Sequence, residues 1–132
     1  MNEFDLQIVT PDGLMFDGRA QKIIVRTTEG DVGILAKHTD YVAALSIGVA
    51  RIFTSEGERK GACAGGMLSV TDGVVRIAAS TFEWSENIDI ARAERAKEKA
   101  EKRLCEFKKS DYEHRLAEIK LKKSLTRLNA SK

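Results

Sequence analysis

All ten glycines and the only proline of this 132-residue chain lie at or before Gly73. Because glycine and proline favour turns and interrupt regular helices, their loss indicates a change from many short strands to long helices. Charge changes in the same region: residues 1–87 carry 8 Lys and Arg against 12 Asp and Glu, and residues 88–132 carry 14 against 8. The net charge of +2 therefore combines an acidic body with a basic tail.

The length and the cysteines exclude several classes of protein. The chain suits one ordinary domain, or a small domain with an appendage. It has no run of about 18 apolar residues to span a membrane, and its first residues lack the basic and apolar regions of a secretory signal. We therefore expect a cytoplasmic protein that can still bind a membrane-embedded partner. Cys63 and Cys105 lie far apart and there are only two histidines, so we expect reduced, partly buried cysteines and no metal site.

The body, residues 1–85, has the pattern of short strands separated by turns. Residues 4–9 alternate apolar and polar side chains, as in a half-buried strand. Turn signals such as Asp72-Gly73 recur along the body, and Gly48 and Gly65-Gly66 divide its longest apolar stretches. The spacing of eight to ten short strands predicts an antiparallel β-sandwich, or a flattened barrel, of about ten strands.

The tail, residues 88–132, has the pattern of an antiparallel two-helix hairpin. Asn87 or Asp89 is expected to cap the first helix, and Ser110 or Asp111 the second. The apolar stripe of the first helix consists of Ala93, Ala96, Ala100, Leu104 and Phe107. The predicted face of the second helix consists of Tyr112, Leu116, Ile119, Leu121, Leu125 and Leu128. Since two such helices bury little surface, we expect the hairpin either to fold onto the body or to open and lie along a partner.

An ordered set of motifs carries a family resemblance. The motifs are Val9-Thr10-Pro11-Asp12-Gly13, Met15-Phe16-Asp17-Gly18, Glu29-Gly30-Asp31-Val32-Gly33-Ile34-Leu35 with His38, Gly65-Gly66 and Ile88-Asp89-Ile90-Ala91-Arg92-Ala93. In this order, before a two-helix tail, they make the chain similar to the epsilon subunit of bacterial F-type ATP synthase, called delta in mitochondria. The resemblance implies a non-catalytic rotor part that binds the gamma subunit, sits on the membrane c-ring on the cytoplasmic side of the cell membrane, and helps couple proton or sodium flow to ATP synthesis. It also implies a tail that can reach the alpha and beta subunits and restrain ATP hydrolysis.

One loop of the body matches the part of the family that touches the c-ring. The matching residues are Asp31, Gly33, Ile34, Leu35 and His38. From the pattern alone, a surface turn leading into a buried strand is the simpler interpretation. Family members usually carry a proline two residues before and two residues after the histidine. This chain has Ala36 and Asp40 there, which predicts a looser or differently directed loop.

A second group matches a motif with which several bacterial epsilon subunits bind ATP. The resemblance assigns this regulatory role to Glu83, Ile88, Asp89, Arg92, Ala93, Lys99, Lys122 and Arg127, with Lys123 as an additional positive charge. Arg92 can pair with phosphate oxygens, Ala93 leaves room for adenine, and Asp89 or Glu83 can accept from its amino group. Lys99 stands where ATP-binding members often have arginine. The simpler interpretation is a capped, salt-bridged helix start, and we expect no cofactor other than this regulatory ATP.

Two other functions compete with the rotor subunit. The basic helices could bind nucleic acid or the ribosome, but the tail lacks interleaved aromatic residues beyond Tyr112. A small enzyme on a β scaffold is a further possibility, but the sequence shows no nucleophile–base set and no phosphate-binding loop. We therefore expect a non-catalytic subunit that does not bind nucleic acid.

Overall fold

The computed structural model describes residues 2–106 and 112–131. Within these residues, eight strands precede a 3₁₀ turn (Ser85–Asn87) and two helices. The strands are β1 (Phe4–Thr10), β2 (Gly13–Ala20), β3 (Lys22–Thr27), β4 (Gly30–Leu35), β5 (Tyr41–Thr54), β6 (Gly57–Thr71), β7 (Val74–Ala79) and β8 (Phe82–Trp84). The helices are α1 (Ile90–Glu106) and α2 (Tyr112–Ser131). None of the described helices is long and apolar enough to cross a lipid bilayer.

The described strands form one sheet in the order β2-β1-β7-β6-β5-β3-β4, with β8 paired to β6. Neighbouring strands in this sheet are antiparallel, except that β1 runs parallel to β7. The N-terminal strand therefore lies between its sequence neighbour β2 and the distant β7. The predicted β-sandwich with a helical hairpin is confirmed, and its antiparallel pattern has this one parallel exception.

The two longest strands replace four predicted short ones. Gly48 lies inside β5 and Gly65-Gly66 lies inside β6, so the described body has eight strands, the lower end of the expected eight to ten. Gly65 and Gly66 have φ angles of +79° and +121°, which residues other than glycine rarely adopt. Before the glycine pair, the core residue of β6 is Cys63, at an odd-numbered position; after it, the core residue is Leu68, at an even-numbered position. The pairing of β6 with β5 continues through this change. The glycine pair is therefore a twist point within a strand and does not end it.

The core of the sandwich is complete without the helices. Its buried residues run from Phe4 to Trp84, and the largest fully buried ones come from β1, β3, β4, β5, β6 and β7. Trp84 closes this core next to the tail: its indole N–H donates to the Met15 carbonyl oxygen at 3.2 Å, and the Arg59 guanidinium lies 3.7 Å from the ring centroid. Phe82 packs edge-on against the same ring. Both aromatic residues therefore belong to the body.

The first helix begins at the predicted capping motif. The Asp89 carboxylate accepts the backbone N–H of Arg92 at 3.0 Å, so Asp89 is the cap and Asn87 is not. Ala93 and Ala100 are buried as predicted, and Leu104 is half-buried. The proposed caps Ser110 and Asp111 of the second helix, together with Phe107, lie outside the described residues.

The buried face of α2 differs from the predicted one. Ala117, Ser124, Thr126 and Ala130 are buried, whereas Ile119 and Leu125 are 46% and 39% exposed. Leu116, Leu121 and Leu128 are half-buried, and the side chain of Tyr112 is not among those described. The buried positions of α2 are therefore occupied by small side chains, and the bulky ones lie at half-buried or exposed positions. The prediction of Ile119 and Leu125 as buried face residues is therefore wrong.

Candidate functional site

The helical hairpin is held on the body by a small interface. α2 supplies most of the contact and lies over β5 and β6. Ala130 packs with Ala62 and Ile88 in a cluster that Val49 adjoins. Beside it, the Arg127 guanidinium nitrogen Nη2 lies 3.0 Å from Oε2 of Glu83. Small apolar side chains and one partly exposed ion pair stabilise an interface only modestly.

Two cavities lie on either side of this interface. The front cavity, about 460 Å³, lies between the β1–β2 turn, the sheet and both helices, and is lined by Thr10, Asp12, Met15, Ile47, Ala62, Cys63, Ala64, Thr81, Phe82, Glu83, Arg92, Lys123, Ser124, Thr126 and Arg127. The rear cavity, about 380 Å³, lies across α2 and is lined by Ile24, Arg26, Asp31, Ser46, Ile47, Gly48, Val49, Arg51, Lys122, Thr126 and Asn129. Ile47 and Thr126 border both cavities. The hairpin therefore covers the sheet without filling the space beneath it.

The front cavity combines three residues of the predicted ATP site. Glu83 from β8, Arg92 from α1 and Arg127 from α2 all line it, although 44 positions separate the first from the last. Lys123 adds a third positive charge to this wall. Nε of Arg127 is buried without a hydrogen-bond partner among the described residues. The arrangement presents guanidinium and ammonium donors to one half-open space, whose lining also includes the carboxylates of Asp12 and Glu83. Such donors suit a phosphate group.

The other predicted ATP-site residues lie elsewhere. Asp89 is committed to capping α1, Ile88 packs in the apolar cluster, and Ala93 is fully buried. Lys99 lines a separate groove between the two helices, and Lys122 lines the rear cavity. Ser124, Thr126 and the β1–β2 turn are cavity residues that the sequence analysis did not identify, because only the folded chain brings them together.

A buried thiol also borders the front cavity. Cys63 is 5% exposed, and its Sγ lies 3.7 Å from the Gly65 carbonyl oxygen. Burial raises the pKa of this thiol to about 11, because the thiolate loses its hydration there. Cys63 is therefore protonated near neutral pH. Among the described residues, no three potential metal ligands converge.

The predicted c-ring residues fall on alternating sides of the edge strand β4. Asp31 is exposed and pairs with Arg26, whose Nε lies 2.8 Å from its Oδ1. Leu35 is 58% exposed and Gly33 is also at the surface, but Ile34 is completely buried in the core. The Ile34 side chain therefore stabilises the strand and is not available at the surface. Asp31, Gly33 and Leu35 remain accessible to a partner.

The loop after β4 is fixed in place at its far end. The ring nitrogen Nδ1 of His38 lies 2.7 Å from the Thr39 carbonyl oxygen, and the ring packs edge-on against Tyr41. The Asp40 carboxylate accepts the backbone N–H of Asp72 at 3.0 Å, so it connects this loop to the β6–β7 turn. A carboxylate that accepts a backbone hydrogen bond restrains both segments. Asp40 therefore restrains this side of the loop, and the looser or differently directed loop relative to family members stays a prediction.

An ion pair holds the junction between the body and the tail. Nη2 of Arg59 lies 2.6 Å from Oε1 of Glu86, and this hydrogen bond lowers the pKa of the Glu86 carboxyl. Because folding lowers the pKa of Glu86, its carboxylate stabilises the folded protein at pH values above the ordinary pKa of glutamate. This stabilisation is lost as the pH falls through the pKa of Glu86 in the folded protein. Both side chains are about half exposed, so water screens the pair and its effect is small.

A row of apolar residues crosses the outer surface of the sandwich. Strand pairing aligns the members of this apolar row in the order Leu14, Val9, Ala78, Met67 and Ala44 across five neighbouring strands. Leu14 and Met67 are 56% and 47% exposed. Contiguous exposed apolar surface is typical of sites that contact another molecule. The sequence did not reveal the row, because it becomes visible only when the strand order is known.

These features define a two-part protein in which a β-sandwich holds a helical hairpin through a small, incompletely filled interface. Residues 3–85 match the beta-sandwich domain of the ATP synthase delta/epsilon chain, and residues 86–132 match its long alpha-helix domain. A relative in Exiguobacterium sp., named ATP synthase epsilon chain, is 40% identical over 130 residues, which cover 98% of this chain and 96% of that protein. A relative of the same name in Ruminococcus albus is 39% identical over 133 residues, covering 99% and 98%.

Solved structures agree with these sequence relatives. A chain of the Euglena gracilis mitochondrial ATP synthase, in a complex of OSCP, F1 and c-ring, matches with a TM-score of 0.83 and 26% identity, covering 97% of this chain and 81% of that chain. A chain of the Tetrahymena thermophila mitochondrial ATP synthase central stalk and c-ring has the same fold, with a TM-score of 0.61 at 20% identity and coverage of 99% and 98%. The chain belongs to the ATP synthase delta/epsilon family, and it is a non-catalytic subunit. The alternative of a nucleic-acid or ribosome-binding module gains no support from these comparisons.

Proposed function

We propose that this chain is the epsilon subunit in the rotor of an F-type ATP synthase, where it helps couple ion flow, predicted to be of protons, to ATP synthesis. In this role the body is the permanent docking part. The apolar row gives it a surface on which the gamma subunit can pack, and the exposed residues Asp31, Gly33 and Leu35 give it an edge for the c-ring. The chain reaches the membrane only through that ring, on the cytoplasmic side.

The helical hairpin is the regulatory part, and its weak attachment to the body carries this proposal. Among the described residues, a small apolar cluster and the Glu83–Arg127 ion pair hold it closed, and two unfilled cavities flank these contacts. An interface with so little apolar burial separates at low cost, so the closed and open forms can exchange. Beyond Glu118 the tail has basic residues and no acidic ones, which suits acidic segments of the alpha and beta subunits. An opened hairpin that lies along the catalytic head prevents the rotor from turning and restrains ATP hydrolysis.

Ala130→Glu tests this mechanism at the interface. Ala130 is 1% exposed, so a glutamate there places a carboxylate against Ala62 and Ile88, and we expect the hairpin to open. In the assembled ATP synthase this should lower the rate of ATP hydrolysis severalfold. The matched control is Leu125→Glu, which adds the same charge on the same helix at a position that is 39% exposed and lines neither cavity. Equal hydrolysis rates for the two variants would contradict a regulatory role for hairpin opening.

A second regulatory role is supported by the front cavity. Arg92, Lys123 and Arg127 line it together, and Glu83 is the acidic side chain that pairs with Arg127. We propose that ATP binds here as a regulator, with its phosphates on these positive charges. Because the ligand touches the body and both helices, it binds the closed form and stabilises it. Lys99 and Lys122 lie outside this cavity and contribute only long-range charge to the proposed site.

Calorimetric titration with ATP tests the nucleotide site. We expect saturable binding to the isolated protein, and at least a tenfold loss of affinity in Arg92→Ala, because a charge-assisted phosphate contact is worth about 1.5–3 kcal/mol. Arg95→Ala is the control, since Arg95 lies on the same helix, is exposed and does not line the front cavity. Equal losses in both variants would show that general positive charge, and not this cavity, attracts the nucleotide.

A further inference from the structure

The rear cavity lies where β5 bulges away from its neighbour β3. The pairing of the two strands shifts register between Ile24 and Thr27 of β3, while β5 keeps a constant register with β6. The bulge leaves room for Arg26, whose side chain lies directly on Gly48: a Cβ atom at Gly48 would be 2.5 Å from the Cβ of Arg26. Bulges of this kind redirect side chains. The fold therefore fixes the base of Arg26 at the wall of this cavity.

Asp31 faces two functional parts of the molecule. It lies on the edge strand β4, among the exposed residues that the proposed function assigns to the c-ring, and its side chain is 59% exposed. It also lines the rear cavity, to which α2 contributes Lys122, Thr126 and Asn129. Its Oδ1 lies 2.8 Å from Nε of Arg26. One carboxylate is therefore shared by the proposed docking edge and the cavity beside the hairpin.

The charges that line the rear cavity make this carboxylate important for hairpin closure. Arg26, Arg51 and Lys122 supply the positive charges, and Asp31 is the sole carboxylate in the described lining. Arg51 has a partner outside the cavity, because its Nε lies 2.6 Å from Oε1 of Glu58. Among the described residues, Lys122 forms no ion pair of its own. When α2 lies on the body, Asp31 is therefore the negative charge that offsets Lys122 and the arginines in this space.

We propose that Asp31 couples docking at the β4 edge to opening of the helical hairpin. In the free chain its carboxylate neutralises Arg26 and attracts Lys122, which favours the closed form. A basic group of the docked partner that pairs with Asp31 removes this attraction and leaves cations of the body and of α2 facing one another, which favours the open form. The coupling is reciprocal, so a closed hairpin weakens docking by the same factor. It rests on the proposed function, in which the c-ring is the partner at this edge.

Amide hydrogen exchange of α2 in the isolated full-length chain, without nucleotide, measures the coupling. An opened hairpin loses its packing on the body, so the exchange rate of its amides follows the open fraction. Asp31→Asn mimics neutralisation by a partner, and we expect it to raise the exchange rate about two- to threefold, since the carboxylate is partly screened by water. In a chain that also carries Lys122→Gln, the same substitution should leave the rate unchanged.

Asp5→Asn is the matched control. Asp5 pairs with Arg19 at 3.0 Å with a similar exposure of 62%, but this pair joins β1 to β2 and lines no cavity with the helices. Equal acceleration by Asp5→Asn and Asp31→Asn would show that the loss of any exposed strand ion pair loosens the hairpin. Equal acceleration by Asp31→Asn with and without Lys122→Gln would show that Asp31 does not act through Lys122. Either result overturns the coupling.

Binding to ATP synthase that lacks this subunit tests the partner's side of the coupling. We expect Lys122→Gln to strengthen binding about two- to threefold, because Lys122 no longer competes for Asp31, and we expect no such gain when Asp31→Asn is also present. An unchanged affinity of the Lys122→Gln chain would show that docking does not draw on Asp31, and would overturn the proposal. None of these results bears on the rotor function, which the hydrolysis rates of the Ala130→Glu and Leu125→Glu complexes test separately.

Discussion

Removal of residues 88–132 is expected to leave a folded body that still assembles into the ATP synthase but no longer restrains ATP hydrolysis. The core supports this expectation, because its buried residues run from Phe4 to Trp84 and Trp84 is fixed by contacts within the body. The truncation exposes Ala62 and Val49, whose burial under the hairpin contributes on the order of 1–2 kcal/mol. The apolar row and β4 are untouched, so the proposed contacts with gamma and the c-ring remain.

The measurement is the ATP hydrolysis rate of purified complexes carrying the full-length or the truncated chain, with thermal unfolding of the isolated body as a control. We expect the truncated complex to hydrolyse ATP severalfold faster, and the body to unfold cooperatively. If the body fails to fold or to assemble, the division between a docking part and a regulatory part is wrong. If both complexes hydrolyse ATP equally, the helical hairpin has another role.

The second large effect is expected from Gly66→Ala, which should lower the free energy of unfolding by about 2–5 kcal/mol. A Cβ atom at Gly66 would lie 2.1 Å from the Ala78 carbonyl oxygen on the neighbouring strand, and the backbone there has a φ of +121°. Relief would require β6 and β7 to move apart at a point where both lie against the core. We therefore expect loss of packing around Leu68 and Ile77 as well as local strain.

Gly57→Ala is the matched control for this substitution. Gly57 has a similar φ of +124°, but a Cβ atom there would have none of the described neighbouring atoms within 4 Å. The control therefore carries only the backbone strain, about 1–2 kcal/mol. Urea unfolding of both variants separates the two contributions. Equal losses of stability would show that the backbone angle, and not the contact with Ala78, makes glycine necessary at position 66.

The sequence predicted the fold class because its local signals agree with the structure. Asp72-Gly73 forms the expected hairpin turn, with φ angles of +51° and +78°, and the alternation in β1 places Leu6 and Ile8 in the core. The eight strands lie at the lower end of the expected eight to ten, because glycine can mark either a turn or a twist inside a strand. Gly65-Gly66 is of the second kind, and only its pairing with β5 reveals this.

The candidate sites were less predictable because they depend on distant parts of the chain. Asp89 was identifiable as a cap from its local sequence, whereas Arg92 was singled out only by the family resemblance. The meeting of Glu83 with Arg127 requires the hairpin to close onto the body. The link from Asp40 to Asp72 likewise joins two loops that are separate in sequence. Local patterns cannot give such pairs, since they arise from the order of strands and the packing of helices.

The parallel pairing of β1 with β7 has a consequence for synthesis of the chain. The β1–β2 hairpin can form early, but one edge of β1 stays unpaired until Val74–Ala79 has left the ribosome. Such non-local pairing is slow to form, and it delays closure of the sandwich until most of the body is available. The tail emerges only afterwards, so the strands of the body are all available for pairing before the two helices are.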